Sequence, residues 1–285
     1  MGAAAIFARF ALTGAGPVAV SMLRLAIAAA VVLGLVAVRG PRRLLSGRNE
    51  AVLALAGVVL AVHFATWIAS LRFTSIAIAT LLVCTSPIFT GIGDAFSRRR
   101  APGAFFWSAL AFAAVGLALV AQTRNAPAPI PGFGFAGAAL AVAGALAMAV
   151  YLTIVRTIRA DLATLTIVVR TYAWAALALV PVVVLLHEAP PPWTPGYAPA
   201  WMGIAAMALV SQLLGHTGMN SALRFFTPTT VGFSTLLEPP IAGVLGALIF
   251  GEHLTAMTLA GGVLILAAIG FALRDAMSAA AEPQL

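Results

Sequence analysis

A few chemically capable side chains stand inside long apolar stretches of this chain, where each needs a reason to be. Glu238 opens the triplet Glu238-Pro239-Pro240 in the middle of an apolar run. An ionisable group in such surroundings costs at least about 2–3 kcal/mol and is a functional candidate by default. A carboxylate there can take up and release a proton or hold a cation; an ion pair with Arg24 or Arg170 would account for it equally. Gln212, His216 and Asn220 recur at i, i+4 and i+8, which puts all three on one face of a helix. That polar stripe must face either a cavity or partner helices. His63, Thr66, Trp67 and Ser70 make a second such face, and Trp67 also reads as an interfacial anchor. Either histidine can carry a proton near neutral pH or remain a neutral hydrogen-bonding ring. Arg24 and Arg170 each lie about a third of the way into an apolar run. There they can snorkel to an interface or grip a carboxylate, for which the planar guanidinium is suited.

These residues are positioned by segments of membrane-spanning type. The chain has 285 residues, 62% hydrophobic and only 8% charged, against roughly 25% charged in soluble domains. Its mean hydropathy is +1.06. A soluble surface could not be covered with so few charges, and disorder requires the opposite composition. A helix crosses the hydrocarbon core with about 20 apolar residues. Nine runs qualify: Pro17–Val38, Ala51–Leu71, Ser75–Ser97, Gly103–Ala121, Gly132–Val155, Leu162–Leu186, Pro199–Leu223, Pro228–Phe250 and Thr255–Leu273. Gly2–Leu12 is read as a tenth helix, short or N-terminally truncated. The expected fold is an all-α integral membrane protein of ten transmembrane helices. The lone Cys84 excludes a disulfide framework and a cysteine metal site, so no metal is expected.

The net charge of +8 suggests nucleic acid until the arginines are located. The loops after even-numbered helices and the C-terminus carry Arg39, Arg42, Arg43, Arg48, Arg98, Arg99, Arg100, Arg156, Arg159, Arg224 and Arg274. The odd loops carry only Arg72 and Arg124. This bias obeys the positive-inside rule. It places both termini in the cytoplasm and leaves no nucleic-acid partner to invoke. The partners expected are the lipid bilayer and a small molecule.

The chain also repeats itself. At an offset of 152 residues Leu71-Arg72-Phe73 falls on Leu223-Arg224-Phe225 and Pro87 on Pro239; at 146, Arg24 falls on Arg170. The halves are residues 1–122 and 131–274, five helices each. An odd number requires the second copy to be inverted in the membrane, a signature of secondary transporters whose site lies at the repeat interface. Pro87, Pro239 and Pro240 delete amide donors inside helices and are candidate hinges. No Walker A, Rossmann or HExxH pattern is present, and no cofactor is expected. An intramembrane lipid-modifying enzyme would need clustered acidic or His/Ser chemistry, whereas one deep carboxylate is visible.

The ordered motifs resemble the drug/metabolite transporter superfamily and its EamA-type ten-helix permeases. The resemblance is carried by Gly14-Ala15-Gly16-Pro17 with Ser21-Met22-Leu23-Arg24, and by Leu236-Leu237-Glu238-Pro239 through Gly251-Glu252-His253-Leu254-Thr255. It implies a carrier of the bacterial cytoplasmic membrane, not an enzyme, with two repeats around a central cavity. Such a carrier would export amino acids or other small polar metabolites, with protons as a candidate coupling ion. An organic-cation or drug exporter of the same fold is the alternative, with Glu238 and Trp67 holding the cation. A monomer is plausible, since one chain supplies both repeats.

Overall fold

The computed structural model describes residues 1–38, 45–74, 76–98, 103–122, 134–250 and 256–281. Arg39, Arg42, Arg43, Arg99, Arg100 and Arg124, and Gly251, Glu252, His253, Leu254 and Thr255, lie outside the described residues.

Ten helical spans follow one another in the described residues. The first three are α1 (Ala4–Ala11), α2 (Pro17–Ala37) and α3 (Gly47–Phe73). The fourth is broken into α4 (Ile76–Val83) and α5 (Ser86–Arg98), and the fifth is α6 (Ala104–Gln122). The sixth and seventh are α7 (Gly134–Ile158) and α8 (Thr164–Leu185). The eighth runs from α9 (Ala198–Ala206) through a π-helical stretch, Met207–His216, into α10 (Thr217–Ala222). The ninth joins α11 (Pro228–Phe233) to α12 (Glu238–Phe250) through a 3₁₀ turn, Ser234–Leu237. The tenth is α13 (Ala256–Ala281). Spans 2, 3, 6, 7 and 8 are by themselves long and apolar enough to cross a bilayer.

The most extensive contacts between spans recur five spans later. Span 2 lies on span 7 (α2 on α8), span 5 on span 10 (α6 on α13) and span 4 on span 9 (α5 on α11). Span 3 packs on span 6 (α3 on α7), and its counterpart is span 8 on span 1 (α9 on α1). Small residues make these crossings close, as expected where helices associate in lipid without a hydrophobic driving force. A Cβ on Gly57 of α3 would stand 2.5 Å from the Trp174 Cβ of α8, and one on Gly203 of α9 would stand 2.6 Å from the Phe7 carbonyl of α1. Between α6 and α13, a Cβ on Gly116 would meet the Gly261 carbonyl at 2.7 Å. Large apolar side chains such as Leu185, Met202 and Leu214 point outward, as a lipid-facing surface requires.

Spans 4 and 9 are interrupted beside the prolines that the sequence offers as hinges, whereas the interruption of span 8 by a π stretch corrects its reading as one continuous α-helix. Proline supplies the reason in spans 4 and 9. Pro239 has no amide to give the Thr235 carbonyl four residues back, so the chain tightens into the 3₁₀ turn before it and restarts as α12. Pro239 and Pro240 therefore sit in the first turn of a helix, where a missing donor costs nothing, rather than in mid-helix. The freed Thr235 carbonyl accepts from Cys84 Sγ at 3.4 Å. Cys84 itself lies in the matching break of span 4, just ahead of Pro87. The two interrupted spans thus face each other across the centre of the bundle.

Candidate functional site

Between these breaks lies a cavity of about 30 Å³, room for roughly two water molecules. Its wall includes Arg24 from α2; His63, Phe64 and Trp67 from α3; and Ser211 and His216 from the π stretch. The two broken spans add Cys84, Ser86, Thr235 and Glu238. Both halves of the chain therefore supply polar groups to one central space.

Each side chain is held by its own element. Arg24 is fully buried; its Cζ stands 4.0 Å over the Phe64 ring and its Nη2 donates to Gln212 Oε1 at 2.8 Å. The ring face attracts the desolvated cation, and the amide fixes its azimuth. His63 Nδ1 lies 2.8 Å from the Gly144 carbonyl of α7. A carbonyl only accepts, so Nδ1 carries a hydrogen and donates it, which fixes the orientation of the ring. The His63 ring stacks on Trp67 at 6.4 Å between centroids and meets His216 at 6.1 Å. Thr66 and Ser70, on the same face of α3, turn their hydroxyls back onto the carbonyls of Val62 and Trp67 and so need no cavity.

The π stretch sets the other wall. A wider turn loosens the backbone ladder, and such turns concentrate at functional sites. Tyr172 Oη braces this one, reaching the Gln212 carbonyl at 3.4 Å and Thr217 Oγ1 at 3.2 Å. Nothing in the order of residues announces the π geometry, which the helical-face argument took as α.

Of the residues expected at the site, the structure brings Arg24, His63, Trp67, His216 and Glu238 to the cavity wall, with Gln212 directly behind Arg24. It does not bring Arg170 or Asn220 there. Arg170 is about two-fifths exposed, with Nη1 3.6 Å from Glu50 Oε1, and Trp174 Nε1 donates to the same oxygen at 2.7 Å. Arg170 is thus turned away from the cavity onto Glu50 and is not the partner of Glu238. Asn220 lies a turn beyond the cavity, accepting from Tyr151 Oη at 2.9 Å and donating to the His216 carbonyl at 2.8 Å. Its own carbonyl accepts from Arg159 Nε at 3.0 Å. Arg159 is otherwise spent on the Leu162 carbonyl and Thr164 Oγ1, tying the α7–α8 turn to α10. Pro87 packs where a Cβ on Gly232 of α11 would lie 3.5 Å from its ring.

Ser86 and Ser211 are cavity residues that the sequence reading passed over. A signal for Ser86 existed: at the offset of 152 it falls on Glu238, and each precedes a proline. The repeat thus places a hydroxyl in one half where the other has a carboxylate.

The EamA-like transporter family matches this chain twice, over residues 1–122 and 135–274. The chain belongs to the EamA-like transporter family. The double match is what two copies of a five-helix unit require, and it makes the protein a multi-pass membrane transporter of the drug/metabolite type. A solved crystal structure of another protein superposes on the EamA-like fold described here with a TM-score of 0.72. It covers 98% of this chain and 96% of its own at 17% identity, a likeness of fold alone. No curated protein matches the sequence.

Proposed function

We propose that this EamA-like transporter exports small polar metabolites, amino acids or their close analogues first, by alternating access through the central cavity. The two repeats, residues 1–122 and 131–274, rock about it. The cavity supports this reading because it is walled by both halves and carries Arg24 and Glu238, groups of opposite charge that suit the two ends of a zwitterion. At about 30 Å³ it is smaller than such a substrate, so the spans around it must part to admit one. The breaks at Pro87 and at Pro239-Pro240 are the hinges that open it.

Glu238 is the coupling group. Arg24, His63, Cys84 and His216 face the same cavity from α2, α3, the α4–α5 break and the π stretch. A substrate ammonium and a proton compete for the Glu238 carboxylate, so a proton arriving from one side displaces substrate to that side. In this reading both termini are cytoplasmic, as the arginine bias suggests, the membrane is the bacterial inner membrane, as the family resemblance implies, and one chain forms the path. The protein has no enzymatic step in this reading.

The test is counterflow of radiolabelled amino acids in proteoliposomes, with and without an imposed pH gradient. Amino acid exchange that the gradient accelerates supports the proposal; no exchange under either condition refutes it. Exchange of tetraethylammonium and not of amino acids would favour cation export, which the cation of Arg24 in the same cavity opposes.

A further inference from the structure

The cavity has an excess of hydrogen-bond donors. Arg24 Nε and Nη1, Trp67 Nε1 and Gln212 Nε2 are all buried without a hydrogen-bond partner, as are the hydroxyls of Ser86 and Ser211. Buried polar groups in folded proteins are nearly always satisfied, and each exception calls for an explanation. Gln212 stands behind Arg24 and Thr80 Oγ1, a further such atom, lies outside the lining, but Trp67, Ser86 and Ser211 line one cavity with an Arg24 guanidinium that is already oriented. Phe64 lies beneath it and Gln212 takes Nη2, so two of its three nitrogens are left open. Tryptophan and guanidinium nitrogens can only donate. What completes such a set is a group that only accepts.

We propose that the Arg24 end of the cavity is an oxyanion subsite that takes a carboxylate, with Trp67 Nε1 and the Ser86 and Ser211 hydroxyls as further donors. The assignment rests on reading the cavity as the substrate site, and it names the chemical class held there. Arg170 lacks the same standing, because Glu50 already occupies it. A carboxylate suits the open Arg24 nitrogens and Trp67 Nε1 better than a neutral amide, because these groups only donate and an amide's own two donors find no acceptor on them. A carboxylate can also pair with a guanidinium through two parallel charge-assisted hydrogen bonds, which adds geometric fit as well as strength.

Trp67 makes the subsite its own reporter. With Trp107, Trp174, Trp193 and Trp201 replaced by Phe, the full-length protein in detergent has one tryptophan, at the cavity. Its fluorescence is titrated with butyrate, butyramide and butylamine at constant ionic strength. Butyrate is expected to give a saturable change with a Kd about tenfold or more below that of butyramide. Arg24→Gln should abolish that preference, Arg24→Lys should keep it in weakened form, and Arg72→Gln, at an exposed helix end, should leave it intact. Equal affinity for butyrate and butyramide, or no saturable response to butyrate, overturns the assignment with no variant needed. So does a preference that survives in folded Arg24→Gln protein. Counterflow separates the two readings: transport without carboxylate preference leaves the carrier and removes the subsite. Carboxylate preference without transport does the reverse.

Discussion

The start of α2 is capped from the other half of the chain, and the strength of that link can be measured from both sides. Gly16 is the N-cap residue and has no side chain to offer, while Pro17 follows it without an amide hydrogen. The first amides of the helix that lack an intrahelical partner are then those of Val18 and Ala19. Ala19 N–H donates to Glu188 Oε2 at 2.7 Å. Glu188 lies just beyond α8, so a residue of the seventh span caps the second. An N-cap is worth about 0.5–2 kcal/mol, and a negative charge at a helix N-terminus about 0.3–1 kcal/mol at exposed sites. Glu188 is half-buried and the two effects overlap, so we expect Glu188→Ala to cost about 1–2 kcal/mol. Gly16→Ala attacks the same contact. Gly16 has φ −71° and ψ 158°, which alanine adopts freely, yet its Cβ would lie 2.1 Å from the Glu188 carboxyl carbon. The glutamate must swing away, and the cap is lost. In a Glu188→Ala background the same substitution meets no obstacle and should be neutral, or stabilising by about 0.4–1 kcal/mol through the unfolded state. Denaturant unfolding of the four proteins in detergent closes the cycle, with an expected coupling of about 1–2 kcal/mol. Additive effects, with Gly16→Ala costing the same whether or not Glu188 is present, would refute the cap as the link.

The helix crossings predict a contrast between two glycines. Gly57→Ala should destabilise by about 1–3 kcal/mol, because backbone of α8 stands at 2.9 and 3.0 Å from the added carbon. Gly34→Ala, with nothing within 4 Å, should be neutral or stabilising by up to about 1 kcal/mol; the unfolding midpoints of the two variants should move in opposite directions or differ clearly. Glu50→Gln should change stability by less than about 1 kcal/mol, since its pair with Arg170 is solvent-accessible and the glutamine oxygen can still accept from Trp174; a larger loss in the same assay would mean that the charge pair contributes more than its exposure implies. Glu238→Gln in proteoliposomes should still permit substrate exchange while abolishing its acceleration by a pH gradient. Acceleration of unchanged size would remove Glu238 as the coupling group.

Much of the architecture is legible in the order of residues because it rests on properties that act locally. Apolar runs of about 20 residues become spanning helices whatever they later touch, since unpaired backbone in lipid is too costly. The prolines mark where spans 4 and 9 break because ring and missing amide act on the same helix. The polar face of Gln212 and His216 was visible for the same reason, periodicity being a property of one helix. Where the reading fell short, the deciding contact came from a distant segment. Arg24 and Arg170 occupy similar depths in similar helices, and no local rule distinguishes them. The π stretch is likewise invisible without the tyrosine that braces it.

The sequence by itself determined the class of the protein, the number of spans, the doubled architecture and the short set of polar residues placed inside the membrane. Composition, helical period and self-similarity suffice for these, because each is a sum over neighbours along the chain. Only the tertiary structure decided which of those residues meet. It put Arg24 against Phe64 and Gln212 at the centre and turned Arg170 outward onto Glu50. It also placed Cys84 on the carbonyl that Pro239 had freed, 151 residues away. The physical reason is that a helix specifies which residues share a face, whereas the packing of small residues at each crossing specifies which faces come together.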